Sequence, residues 1–399
     1  MTAERVKHIE PSKTVELTAR IAELKRQGEK VIGLNVGEPD FVTPPHICAA
    51  ANQALKEGFT KYTPVMGILP LREAICRKLE RENHVCYTPD QITIGAGAKQ
   101  CIYAALMAVC NPGEEIIIPY PCWVSYTEMV KMAGGTPVLV PCREDFSLDA
   151  EAIRNAVTDK TRGILINTPN NPTGAVYSGE ALKELGQLAV QKDFYILADE
   201  VYEAMVYDGA EHVSIASLSE SEEWKDHIIL INSFSKTYAM TGWRLGYLAA
   251  SLEVIGAVNK LQSQMVSSIH SLSQKAGIAA LNGSQDSVAD MVAEYEKRRR
   301  YVYSRLESME GVNCRLGEGA FYLLPDIRAY YGASYGEWEI KDDIVMAEYL
   351  LQEAHIAVVP GSVFYAPGHL RITYAASQAE LKQAMDQMEE ALEKLHRKS

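Results

Sequence analysis

The chain has 399 residues, 47% apolar and 23% charged, which allows a large buried core and more than one domain. A formal net charge of −13 and a pI near 5.3 argue against nucleic acid or an anionic membrane surface as partner. No apolar run approaches the roughly 18 residues of a membrane span, and the N-terminal MTAERVKHIEPSK lacks the apolar stretch of a secretory signal.

Residues 14–28 read as an amphipathic helix ended by Gly28, followed by a short strand from Val31 to Val36 and the turn-rich GEPDF, Gly37 to Phe41. Helices are expected over 45–57 and 70–83, the latter opening on Pro70. From Gln91 a regular alternation begins. Strands are expected at 91–94, 115–118, 136–140, 163–166, 195–197 and 228–231, with helices after 99, over 148–157 and over 179–192. Such alternation predicts βαβ units and a mostly parallel, doubly wound sheet, hence an α/β protein. Further helices are expected over 252–266 and 285–309, the second carrying the charged run EYEKRRRYVYSRLESM. The C-terminal part shows short strands at 321–324, 357–360 and 370–373 and a helix from Gln378, which suggests a smaller α+β domain. The Gly- and Tyr-rich stretch 330–339 reads as a mobile loop. Eight cysteines without a C-x-x-C pair suit reduced thiols of a cytoplasmic protein.

The polar residues fall where an open parallel sheet places its ligand. Gly97-Ala98-Lys99, Trp123, Asn171, Asp199 with Tyr202, and Ser233 to Lys236 each follow the carboxyl end of an expected strand, and those ends share one edge. Gly97-Ala98 opens a helix, whose first N–H groups can bind phosphate. Asp199 ends an apolar strand, and a buried carboxylate is costly unless paired. Lys236 is an amine on the central loop, and Arg244, eight residues on, is a permanent cation. Arg371, in GHLRITYA, can grip a carboxylate with both arms of its guanidinium. Taken singly, each also suits a turn, a helix cap or a surface ion pair.

Together, SFSK…MTGWRLGY, NTPNNPTG, ADEVY and GEPDF, in this order and spacing, resemble the class I aminotransferases. These are fold type I enzymes that use pyridoxal phosphate (PLP). The resemblance covers essentially the whole chain and points to the bacterial branch of aspartate, prephenate and aromatic aminotransferases. It implies a seven-stranded, mostly parallel sheet in a large PLP-binding domain over 46–285. An N-terminal arm with part of the small domain would occupy 1–45, and the small C-terminal domain 286–399. It implies that Lys236 forms a Schiff base with PLP and shuttles the proton, and that Asp199 pairs with the pyridinium nitrogen. Asn171 and Tyr202 would bond the phenolic oxygen, and Trp123 would stack on the ring. Gly97, Ala98, Lys99, Ser233, Ser235 and Arg244 belong to the phosphate-binding segments. Tyr62 would reach the phosphate of a neighbouring subunit, which implies a homodimer. Arg371 would hold the substrate α-carboxylate, with Gly37 closing over it.

The reaction so implied is a ping-pong transfer of an amino group from an L-amino acid to a 2-oxo acid such as 2-oxoglutarate. Lys99 stands where aspartate-using members carry a lysine for the distal carboxylate, which favours aspartate or glutamate. The segment Ser267-Ser268-Ile269-His270 departs from their usual Ser-Asn-Pro, which favours an aromatic or broader specificity. A PLP-dependent lyase on the same fold is a further alternative. A dinucleotide-binding dehydrogenase is disfavoured, because Gly95-x-Gly97 has glutamine, not a third glycine, at 100. A DNA-binding regulator on this fold is disfavoured by the acidic charge.

Overall fold

A computed structural model describes residues 4–7, 9–11 and 13–396. Its centre is a sheet of seven strands: β1 Ile92–Gly95, β2 Glu115–Tyr120, β3 Thr136–Pro141, β4 Thr161–Asn167, β5 Tyr195–Asp199, β6 Ile228–Ser233 and β7 Gly246–Ala249. Their order is β1-β7-β6-β5-β4-β2-β3. Only β7 runs against its neighbours, pairing antiparallel with both β1 and β6. The carboxyl ends of β1, β2, β4, β5 and β6 therefore lie along one edge. The β-branched runs Ile116–Ile118 and Ile228–Ile231 are fully buried, as strands covered by helices on both faces must be.

Most expected elements lie within a few residues of the observed ones. The helix over 179–192 is matched end to end, with the Ser178 hydroxyl accepting from Ala181 N–H. The terminal helix Gln378–Lys394 starts with a capping box between Ser377 and Glu380. Among the elements not expected are β7 and the helices Ser125–Met132, Glu222–Asp226, Ser271–Asn282 and Asp343–Glu353. The strand GYLA is only four residues long and follows a turn without a break in composition, so its pattern is too short to register.

Two expectations are corrected. The strand over 31–36 shrinks to Ile32–Gly33, which pairs parallel with Ile356–Ala357 from the far end of the chain. The stretch 330–339 carries regular structure, since Ser334–Tyr335 and Trp338–Glu339 form a hairpin. Its Trp338 and Tyr335 rings pack edge-on against Tyr349, with centroids 5.7 and 6.5 Å away.

Beyond the main sheet, helix Asp286–Ser308 leads to a three-stranded antiparallel sheet ordered Val359–Pro360, Leu370–Thr373, Tyr322–Leu323. The basic run in this helix is not simply a solvated face. Arg299 is 1% exposed and reaches Asp208 at 2.8 Å, while Arg298 is 7% exposed and clasps Asp40 of GEPDF at 2.8 and 2.9 Å. Phe41 packs edge-on against Tyr295 of the same helix. The GEPDF loop is thereby fastened to the C-terminal half of the molecule.

Candidate active site

At the end of β6, Phe234 turns into the core at 1% exposure and Ser233 and Ser235 stay buried. Met240 N–H closes the turn on Ser235 O at 3.1 Å. A short 3-10 turn, Thr241–Trp243, leaves Arg244 left-handed at φ +52. That conformation, uncommon outside glycine, sends the guanidinium back to Thr241 O (2.8 Å) and Ala96 O (3.1 Å). Helix Ala98–Val109 starts opposite, behind Gly97 at φ +83. A Cβ on Gly97 would lie 2.6 Å from the Arg244 guanidinium, and one on Gly246 would lie 2.8 Å from Ala98 N. Both positions must be bare for cation and helix start to meet. The first N–H groups of helix Ala98–Val109, two serines and a guanidinium form a donor set suited to a phosphate.

Asp199 closes β5 and is 3% exposed. Its carboxylate accepts from Tyr126 O–H (2.7 Å) and Val201 N–H (3.4 Å). Burial pushes the carboxyl up to about 6, against the pull of those bonds and of Lys236. An ionised group held there is short of positive charge.

Lys236 Nζ donates to Gly37 O at 2.5 Å and stands 5.9 Å from the Tyr202 ring centroid. Burial, with the cations Arg371 and Arg244, lowers its ammonium to about 8, although Glu38 and Asp199 oppose this. At neutral pH an appreciable fraction is free amine. Arg371, 3% exposed, spans Asn171 Oδ1 (3.1 Å) and Asn35 O (2.6 Å). Its Nε is buried without a hydrogen-bond partner, a donor that an added carboxylate can satisfy. The Tyr322 ring lies under that guanidinium at 4.5 Å, and Tyr322 and Tyr202 share a hydrogen bond of 2.8 Å between their hydroxyls. Asn171 is held from behind, its N–H donating to Asn167 Oδ1 at 2.8 Å.

Lys99 is exposed along the cleft and its Nζ sits 4.6 Å over the Trp123 ring. Although the residue is exposed, partial enclosure of its amine by the surrounding protein, with Arg244, lowers its ammonium. Trp123 in turn meets Tyr126 edge-on at 5.4 Å. The structure thus gathers Gly37, Gly97, Ala98, Lys99, Trp123, Asn171, Asp199, Tyr202, Ser233, Ser235, Lys236, Arg244 and Arg371 about one edge of the sheet. Tyr62 stands apart at 90% exposure. His270 takes a structural part, its Nδ1 accepting from Ser273 N–H at the start of helix Ser271–Asn282.

Three contributors went unread in the sequence: Tyr126, Tyr322 and Asn35. Tyr126 lies three residues beyond Trp123 on a helix that was not expected. No local pattern marks the other two.

A separate cleft of about 570 Å³ is lined by Lys78, Glu203, His212, Asn232 and Tyr238. Glu200, Glu203 and His212 converge within 4.8 Å there. Their carboxylates already have partners: Glu203 bonds Lys78 and Asn83, and Glu200 bonds Ser214, Ile215 and His212. This network pins the segment between Asp199 and Tyr202 from behind.

The fold and this edge define an α/β enzyme that brings a lysine, a buried carboxylate and an anion-suited donor set together. The family profile described as aminotransferase class I and II matches residues 29–388, and the chain belongs to that family. It is an aminotransferase, moving an amino group between an amino acid and a 2-oxo acid. It is 43% identical over 399 residues to an aspartate aminotransferase of Bacillus sp. (strain YM-2), covering 100% of this chain and 98% of that one. It is 43% identical to a bifunctional aspartate aminotransferase and glutamate/aspartate-prephenate aminotransferase of Petunia hybrida, covering 97% of this chain and 82% of that one. Among solved structures, the aspartate aminotransferase of Rhizobium meliloti superposes with a TM-score of 0.95 at 41% identity, over 99% of this chain and 100% of that one.

Proposed function

We propose that this aminotransferase uses PLP, takes aspartate or glutamate as amino donor, and works as a homodimer in the cytoplasm. The observation that carries the cofactor assignment is Asp199, a buried carboxylate whose hydrogen bonds leave it short of positive charge. A protonated ring nitrogen supplies that charge. The bare glycines at 97 and 246, with Arg244, Ser233 and Ser235, fit the phosphate of the same molecule.

Bound there, PLP withdraws electrons from the substrate α-carbon, which makes an otherwise weak α-proton removable. The remaining work belongs to the chain. Asp199 keeps the ring nitrogen protonated. Asn171 and Tyr202 donate to the phenolic oxygen, and Trp123 covers a ring face. Arg371 binds the α-carboxylate and fixes the α-proton toward Lys236, whose Nζ accepts and returns it. Gly37 lies against Lys236 and covers the site. Large exposed side chains at Tyr62 (90%) and Val42 (85%) support a subunit interface, and eight free cysteines suit a reducing compartment.

Borohydride treatment of the yellow protein should fix the cofactor to one peptide, the one containing Lys236. Label on any other residue would sink this reading. For the substrate, Lys99→Ser should lower kcat/KM for aspartate by about 10²-fold, in line with a lost charge-assisted contact. Phenylalanine should be affected less than about threefold. Equal losses would mark an aromatic or broad-specificity enzyme instead.

A further inference from the structure

We infer that Tyr322 is a positioning residue that orders the Tyr202 hydroxyl as a donor toward the cofactor's phenolic oxygen while bracing the Arg371 guanidinium from below. This rests on the placement of PLP proposed above.

Tyr322 touches three parts of the site at once. Its hydroxyl is 2.8 Å from that of Tyr202, and its ring centroid is 4.5 Å from the Arg371 guanidinium. Its hydroxyl also lies 2.5 Å from where a Cβ on Gly37 would stand. Any larger residue at 37 would displace it. The ring itself has little freedom. It is 1% exposed, lies on a strand paired with Leu370–Thr373, and packs against Phe321 at 4.7 Å and Tyr202 at 5.8 Å.

The two phenols are neutral, because burial raises the ionisation of both. Two neutral hydroxyls in one hydrogen bond commit one proton and leave one over. Arg371 over the Tyr322 ring makes that phenol the more acidic and therefore the better donor. Tyr322 then donates to Tyr202, and Tyr202 keeps its own proton for the ligand. A hydroxyl that accepts a hydrogen bond becomes a stronger donor itself.

The test uses the PLP-loaded enzyme and three variants: Tyr322→Phe, Tyr322→Leu and Tyr202→Phe. A donor on the phenolic oxygen draws off its negative charge, so the proton it shares with the Lys236 nitrogen is held less tightly. Weakening that donor lets the proton persist to higher pH. The pH midpoint of the cofactor absorption band should therefore rise in Tyr322→Phe by about half a unit, and in Tyr202→Phe by more. Asp199, Glu38, Arg244 and Arg371, the charged groups facing Tyr202 and Lys236, are kept in all three. Tyr322→Phe keeps the ring under Arg371, so KM for amino acids should stay within about twofold. Tyr322→Leu removes ring and hydroxyl, and KM should rise about tenfold for every amino acid. A shift in Tyr202→Phe with none in Tyr322→Phe overturns the inference and leaves the cofactor placement standing. No shift in either variant overturns the placement of Tyr202 against the cofactor, and the inference with it.

Discussion

Replacing Lys236 by alanine should cut turnover by about 10⁴-fold or more, the upper end of what a positioned acid–base group contributes, while the protein still binds PLP. The two results separate because different residues do the two jobs. Retention depends on Asp199, Arg244, Ser233, Ser235 and the start of helix Ala98–Val109, none of which touches the Lys236 side chain by a hydrogen bond. Turnover depends on an amine that is free at working pH. Burial and two nearby cations bring the Lys236 ammonium down toward that need, to about 8. Single-turnover absorbance with an amino acid in excess is the measurement. A loss under tenfold would mean that another group moves the proton.

Asp199→Asn should act in opposite directions on activity and on stability. Asparagine cannot neutralise a protonated ring nitrogen, and breaking a buried charge pair costs about 3–5 kcal/mol, or roughly 10²–10⁴-fold in turnover or PLP affinity. The cofactor-free protein should become more stable. Burial raises the Asp199 carboxyl from 3.8 to about 6. A raised folded-state value means that its stabilising contribution is complete below pH 4 and lost as pH rises through 6. A shift of about two units corresponds to at most about 3 kcal/mol. Urea unfolding of the cofactor-free proteins should show the variant ahead by about 2–3 kcal/mol at pH 7.5, with the gap closing toward pH 4. A constant gap across that range would assign the effect to packing. The site thus holds a charge that the fold alone disfavours, which is why binding of a cation there contributes to folding.

The architecture was legible for a simple reason. Isoleucine-rich runs of four to seven residues, separated by amphipathic stretches, can hardly be placed except as buried parallel strands under helices. The loops beyond them then fall on one edge whatever the details. Misreadings came where the local signal was weak. GYLA is too short, and the Tyr- and Gly-rich stretch 330–339 looks like a loop until Tyr349 offers a surface for its rings. The charged run at Lys297–Arg300 carries no local mark of its partners Asp40 and Asp208, which arrive from elsewhere in the chain.

The sequence by itself determined the alternation of strands and helices over most of the chain, the loops that carry Lys236, Asp199 and Asn171, and the glycine at 97 that opens a helix. It could not determine who meets whom across the chain. Arg371 meets Asn35 across 336 residues and Asn171 across 200; Tyr202 meets Tyr322 across 120; Asp199 meets Tyr126 across 73. Such pairs have no periodicity and no local spacing. They exist because the apolar core excludes water, so that each buried polar group must find its partner among whatever the packing brings within hydrogen-bond distance.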